Sequence, residues 1–461
     1  MTRARLVFPA LRARNGVFSH ERAKIKAALA AGVGGFIVFG GRPEAVKALA
    51  YAVGRQADRG LLFGSDLERG PGQQFRGLTE LPPPAALGYV DDPYATYMAG
   101  TITATEALGS AGVCWAFAPV CDLDLEAGNP IVQTRSFGPD AVRVGAHAAR
   151  WIAGCQEHGV MACAKHYPGH GRATTDSHEG LPVIKASGIE LRLTDVAPFG
   201  TAVQAGVGSV MSAFVAYPGW DDSGVAAAFS KPILGYLRDP LGFKGLIVTD
   251  AFIMGGATAA QSEGPASVAA VTAGCDALLY PTDWQAVIRA LDAVPDARAE
   301  EAIARVDAAA FHWCRSETGT VNPQFYLDHQ QVADELADRA VHLLRGDKPR
   351  LAGPLSVDIV DDDVGGPYAI ASRGVFGRAL RAEHGARSRI VAVYAEPRSW
   401  KGRGDLGERS LAQLERLTPS AELVVLFGHP RLVAQVPGDM PVVCAWHGQA
   451  LMQRAAARWV L

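Results

Sequence analysis

Eight short apolar runs, each followed by a stretch with helical spacing, constrain this chain more than any other feature of its sequence. They are Leu6–Phe8, Gly35–Phe39, Leu61–Phe63, Val113–Ala118, Val160–Ala164, Ser209–Met211, Leu246–Val248 and Ala277–Leu279. Runs that are apolar throughout, rather than alternating, belong to strands buried on both faces, and strands separated by helices pair in parallel. The segment 141–158, for example, sets Val142, Ala148, Trp151, Ile152 and Cys155 on one helical face, with a stop at Gly159. Eight such units in the first ~320 residues predict an α/β fold of the (β/α)8 TIM type, which uses ~250 residues plus insertions.

Helical patterns dominate from Ala297 to Leu344. The polar segment RGDKPRLAGP, residues 345–354, reads as a linker. Beyond it Leu355–Ile359, Ile390–Tyr394, Leu423–Phe427 and Val442–Ala445 read as strands with helices between them, a smaller α/β sandwich. The expected domains are therefore 1–344 (barrel), 345–354 (linker) and 355–461 (C-terminal α/β domain). No G-x-G-x-x-G follows a strand, so a dinucleotide site is not indicated.

Forty-four Lys and Arg against 47 Asp and Glu leave a formal charge of -3, which argues against nucleic-acid or polybasic membrane partners. No stretch approaches ~18 continuous apolar residues, and no apolar run of signal-peptide length opens the chain. Seven scattered Cys without a CxxC pair form neither a disulfide framework nor a zinc ribbon. These features predict a cytoplasmic protein. They are compatible with a homodimer.

The chemistry concentrates after the strands. CAKHYPGHGRATTDSHEGLPVI, from Cys163, packs Lys165, His166, His170, Arg172, Asp176, His178 and Glu179 among Gly and Pro directly after an apolar run. A solvated loop is one reading, but Lys-His beside a buried strand is hard to place in water. Zinc on His166 and His170 is another, opposed by Pro168 and Gly169 between them. In the third, Asp176 orients His178 and raises its proton affinity, and His178 acts as general acid and then general base. In GLIVTDAFIMGG, Asp250 falls just past a strand, as a helix N-cap or a carboxylate nucleophile; Gly255 and Gly256 weigh against the cap. In GSDLERGPGQQF, Asp66 sits at a strand end suited to polyol hydroxyls, while Glu68 and Arg69 either pair with each other or serve a site. Arg135 in NPIVQTRSFG is either a loop ion-pair partner or a donor to substrate hydroxyls.

Together these segments resemble glycoside hydrolase family 3, and within it the β-N-acetylglucosaminidase (β-N-acetylhexosaminidase) branch. KHYPGHG (165–171) is similar to that branch's K-H-F/Y-P-G-H-G signature, and DSH (176–178) to its acid/base dyad. FSKPILGYLRDPLGFKGLIVTD, ending at Asp250, is similar to its nucleophile segment; FAPVCDLDLEAGNPIVQTRSFG and GCDALLYP fit further family segments. The resemblance implies a retaining glycosidase that releases non-reducing terminal β-linked N-acetylglucosamine through a covalent glycosyl-enzyme intermediate. In that reading Asp250 is the nucleophile, His178 the acid/base and Asp176 its orienting partner. Asp66, Arg135, Lys165, His166, Arg76 and Met254 bind the sugar. Neither metal nor cofactor is needed, and the partner is a small carbohydrate. A β-glucosidase or a β-glycoside phosphorylase of the same family stays open, as does a non-catalytic sugar-binding barrel. Two departures bear on the leaving group. The branch's D-Q-E-G-G-R-V-x-R is replaced by DLERGPGQQF, with Arg69 or Arg76 left to compensate, and Phe214 stands where V-M-x-A-H-V has His.

Overall fold

Pro9 interrupts the first apolar run, and the barrel closes around that break. The computed structural model describes residues 2–461 apart from 58, 176–179, 259–260, 315–322, 367–369 and 384–387, and apart from the side chains of 323–327 and 399. Strands β1 (Val7–Phe8) and β2 (Ala10–Arg12) flank Pro9, followed by β3 (Gly35–Phe39), β4 (Leu62–Ser65), β5 (Trp115–Ala116), β6 (Met161–Tyr167), β7 (Ser209–Ser212), β8 (Leu246–Ala251) and β9 (Ala277–Leu279). Their order is β1-β9-β8-β7-β6-β5-β4-β3-β2, with every pairing parallel. The two ends of that row are the two halves of one interrupted strand, so the sheet returns on itself and eight strand positions remain. Proline has no amide hydrogen to offer a ladder, yet its carbonyl still accepts from Ile37 N at 3.1 Å.

The side chains inside are large: Phe8, Phe36 and Trp115 are wholly buried, and Phe8 meets Trp115 edge to face at 5.6 Å. Backbones approach closely where side chains are absent. A Cβ on Gly35 would lie 1.9 Å from the Leu62 carbonyl oxygen, so only glycine lets β3 sit this close to β4.

A second sheet carries β10 (His342–Arg345), β11 (Leu355–Asp361), β12 (Ser388–Ala395), β13 (Leu423–Gly428) and β14 (Val442–Cys444) in the order β10-β14-β13-β12-β11. All neighbours are parallel except β10, which runs antiparallel to β14. The expected boundary at residue 344 therefore cuts through the first strand of this sheet. The polar residues around it hid a short edge strand, which needs apolar packing on only part of its length.

Alternation along β12 and β13 divides the small domain's core. Ile390, Ala392, Tyr394, Leu423, Val425 and Phe427 join the barrel's apolar core, while Val391, Val393, Val424 and Leu426 pack on the other face against Leu406 and Leu414. The helix Pro323–Ala340 joins the two sheets. It buries Ala333, Leu336, Ala337 and Ala340 in the shared core, and its Arg339 pairs with Asp92 of the barrel at 2.9 Å. Its Asp338 pairs with Arg458 of the small domain at 2.8 Å. Among the described residues no helix is long and apolar enough to cross a membrane.

Leu414 is the fully buried anchor of the amphipathic helix Glu408–Leu417. Leu414→Ala should cost about 3 kcal/mol, the typical sum of transfer and cavity terms, read as a lower midpoint with unchanged slope in urea unfolding.

Candidate active site

The mouth of the barrel is formed where strands end in charge. Lys165 lies in β6 itself and is 2% exposed. Its ammonium bonds Asp66 Oδ1 at 2.9 Å and Glu68 Oε1 at 2.7 Å, both on the loop after β4. Glu68 also takes a two-pronged contact from Arg135, Nε to Oε2 at 2.8 Å and Nη2 to Oε1 at 2.7 Å. Burial alone would raise the Glu68 carboxyl, but Arg135 and Lys165 outweigh it and hold the group well below the ordinary glutamate range. Asp66 and Glu68 push the Lys165 ammonium upward against its own burial and against the nearby Arg135. Two carboxylates and two cations thus share a pocket that none could occupy alone.

Asp122, beyond β5, holds the next layer. Its Oδ2 accepts from His166 Nδ1 at 2.7 Å, and its Oδ1 accepts the amides of His166 and His170 at 3.1 and 2.7 Å. The proton on Nδ1 is thereby assigned, and Nε2 faces Arg135 Nη2 at 3.5 Å. Burial opposes ionisation of Asp122, yet His166 and His170 keep its carboxyl below the ordinary value. Burial lowers His170. Gly171 seats this layer: a Cβ there would meet the Leu123 carbonyl oxygen at 1.8 Å, and Gly171 O accepts from Glu126 N at 3.2 Å.

Asp250 occupies the end of β8, part exposed, with Oδ1 accepting the Ala251 amide at 2.7 Å. It is a strand residue and not a helix cap; the next helix, Gly255–Thr258, starts further on. Burial pushes the thiol of Cys163 on β6 up to about 12, and the charges of Asp66 and Asp250 add to that rise. Met254 is buried in the core. Phe214 is wholly buried against Phe229 and Phe252, so apolar packing replaces the imidazole expected at that position.

The second domain forms the rim. Asp124 accepts from His429 Nε2 at 3.0 Å and from Arg431. Arg69 turns away from Glu68 and reaches Gln449 Oε1 at 2.6 Å, with His447 Nδ1 at 3.4 Å. Gln449 in turn donates to Leu81 O at 2.6 Å. The charged loop 398–405 is pinned: Lys401 is buried against Asp362 at 3.0 Å and Asp363 at 2.5 Å, and Gly404 O accepts from Gln133. The carboxyl ends of both parallel sheets therefore face each other across the mouth.

Asp66, Lys165, His166 and Arg135 converge as a cluster, with Asp250 at the same end of the barrel. Lys165 and His166 are the last turns of an extended strand rather than loop residues, as the Tyr167–Ser212 register requires. Arg76 is exposed, its amide donating to Gly41 O at 3.4 Å. Asp176 and His178 lie outside the described residues. The roles of Glu68 and Asp122 escaped the sequence reading. Their signal was a pair of acidic residues two places apart, in D-L-E (66–68) and D-L-D (122–124).

Glu68→Ala should leave two cations without their shared anion. A loss of about 3–5 kcal/mol is expected by chemical denaturation. The folded Glu68 pKa lies below the ordinary 4.5. Its stabilisation is therefore complete above that value and lost as pH falls through the folded one. Glu68→Gln should correspondingly flatten the acid limb of a stability-versus-pH curve. Gly171→Ala should shift the loops after β5 and β6 and cut sugar-analogue affinity at least ~10-fold, a loss of ~1.4 kcal/mol, by calorimetry.

A family model described as the glycosyl hydrolase family 3 N-terminal domain matches residues 11–314. A curated beta-hexosaminidase from Chromobacterium violaceum is 34% identical over 350 residues, covering 72% of this chain and 93% of that protein. Among solved structures, a family 3 β-N-acetylglucosaminidase from Paenibacillus sp. shares the fold with a TM-score of 0.86, at 24% identity over 99% of this chain and 95% of that one. A beta-glucoside phosphorylase does so with a TM-score of 0.85, at 20% identity over 99% and 91%. The matched segment runs from β2 to the last barrel helix and contains Asp66, Glu68, Asp122, Arg135, Lys165, His166 and Asp250; the chain belongs to glycosyl hydrolase family 3 and is a glycosidase.

Proposed function

We propose that this enzyme is a retaining β-N-acetylhexosaminidase that removes a non-reducing terminal N-acetylglucosamine. The observation that carries the reading is the pairing of a part-exposed carboxylate, Asp250 at the end of β8, with the pre-assembled Asp66–Lys165–Glu68–Arg135 cluster at the same mouth. The identity to a relative named beta-hexosaminidase supports the sugar assignment.

In this mechanism Lys165, His166 and Asp66 hold sugar hydroxyls, donors and acceptors being fixed beforehand by Glu68 and Asp122. Fixing them before substrate arrives removes reorganisation from the reaction step. Asp250 attacks the anomeric carbon while His178, oriented by Asp176, protonates the departing oxygen. The glycosyl–Asp250 ester forms as the glycosidic C–O bond breaks. His178 then takes a proton from water, whose oxygen displaces Asp250 and releases the sugar with net retention. An imidazole acid leaves no second carboxylate to repel an anionic acceptor, so phosphate is a chemically admissible alternative to water. The near-neutral charge and scattered thiols support a cytoplasmic site of action.

The test is a panel of nitrophenyl β-glycosides with and without phosphate. Release from the N-acetylglucosaminide, with free sugar as product, is expected. A preference for the glucoside refutes the N-acetyl assignment, and sugar-1-phosphate as main product makes the enzyme a phosphorylase. Asp250→Ala should fall to background on every substrate. His178→Ala should lose about 10²–10⁴-fold on substrates with poor leaving groups and far less on nitrophenyl ones. Equal losses on both would remove His178 from the acid role.

A further inference from the structure

Cys114 and Cys314 are 200 residues apart in sequence, and their sulfurs lie 2.7 Å from each other. A disulfide bond measures ~2.05 Å, so closing this gap takes a movement of about 0.7 Å. The other thiols have different company. Cys155, Cys275 and Cys444 direct their sulfurs at the carbonyls of Val160, Ala228 and Gly428 at 3.4, 3.5 and 3.8 Å. Cys121 faces Pro119 O at 4.0 Å, and Cys163 bonds Ser209.

The position of the pair separates it from the glycosidase chemistry. Cys114 immediately precedes β5; its amide donates to Phe63 O and its carbonyl accepts from Met161 N. It therefore sits at the amino ends of the strands, on the barrel floor, opposite the mouth. Cys314 ends the helix Asp296–Trp313 and is part exposed, which gives a small oxidant access. The hydrogen bond between the two sulfurs lowers the Cys114 thiol below its ordinary value and raises that of Cys314. The Arg5 guanidinium, held by Asp307 and by Gly60 O at 2.6 Å, adds positive potential beside Cys314. Cys114 is nevertheless the readier thiolate of the two, placed to attack an oxidised Cys314 sulfur.

We propose that Cys114 and Cys314 form a reversible intramolecular disulfide that staples the last barrel helix to the barrel floor under oxidising conditions. With hydrogen peroxide as oxidant, the part-exposed Cys314 sulfur attacks the O–O bond and becomes a sulfenic acid, its proton leaving with the expelled hydroxide as water. The Cys114 sulfur then displaces hydroxide from that sulfenic sulfur, forming the S–S bond and a second water. Two thiols are oxidised and one peroxide is reduced to two waters. In a reducing compartment the dithiol form persists. The staple closes a very long loop and so restricts the unfolded chain strongly.

The purified full-length chain, treated with graded hydrogen peroxide and then denatured in a thiol reagent, tests this. Free thiols should fall from seven to five, peptide mapping should recover a Cys114–Cys314 cross-link, Tm should rise by several degrees, and dithiothreitol should reverse all three. Cys314→Ser, a conservative change at a part-exposed position, should keep its six remaining thiols under the same treatment and show no Tm shift. Retention of all seven thiols in the parent overturns the proposal. So does over-oxidation of Cys314 with Cys114 still free, or a cross-linked protein whose Tm is unchanged.

Discussion

One buried carboxylate, Glu68, sets the terms for the mouth of this barrel. Lys165 and Arg135 could not both leave water beside each other without an anion between them, because isolated charges are far costlier to bury than matched ones. Glu68 contacts both, and Asp66 takes the remaining face of the Lys165 ammonium. The cluster is thus balanced in charge before any ligand enters. Its donors are also fixed in direction: Arg135 by a planar two-pronged contact, Lys165 by a strand that buries its whole stem. His166 gains the same rigidity from Asp122.

These groups come from four different segments, and the parallel barrel explains how they meet. Every strand delivers its carboxyl end to one face, so Asp66, Asp122, Lys165 and Asp250 converge although nearly two hundred residues separate the first from the last. The second sheet obeys the same polarity. The ends of its parallel strands carry Asp361, Asp362, Asp363, Glu396, His429 and His447, of which His429 meets Asp124 and His447 meets Arg69 of the barrel. Glu396 ties this edge together by accepting from Arg373 and from the Gly448 amide, each at 3.0 Å. What looks like an appended domain therefore completes the rim of the site.

The architecture was legible because its strands are apolar without interruption and the helices between them keep one sticky face. Where the chain departed from that rule, the sequence misled. Lys165, His166 and Tyr167 read as loop because two of them are charged or polar, yet a strand is defined by its backbone ladder, and Ala213 N still donates to Tyr167 O at 2.8 Å. His342–Leu344 read as the end of a helical region and Arg345 as the start of a linker, because an edge strand pairs on one side only. Asp66, Lys165 and His166 drew attention from their place after apolar runs and Arg135 from the segment NPIVQTRSFG, and the structure brings the four together as a cluster. Asp122 and Glu68 were not assigned roles, since their partners lie 44 and 67 positions away and the acidic pairs alone do not say which cation they meet. Arg69 was expected near the sugar or on Glu68; it instead reaches a glutamine 380 residues distant.

The apolar layer shared by barrel and second sheet has a mechanical corollary. Ile390, Tyr394, Leu423 and Phe427 lie in the same continuous core as Phe8 and Trp115, with the helix Pro323–Ala340 wedged into both. Among the described residues one apolar core runs through both halves, and large apolar contacts of this kind resist relative motion. Heat should melt them in a single cooperative step, and a swinging hinge is denied by the same packing. The cleft is held at one width, so a guest must fit the opening it finds.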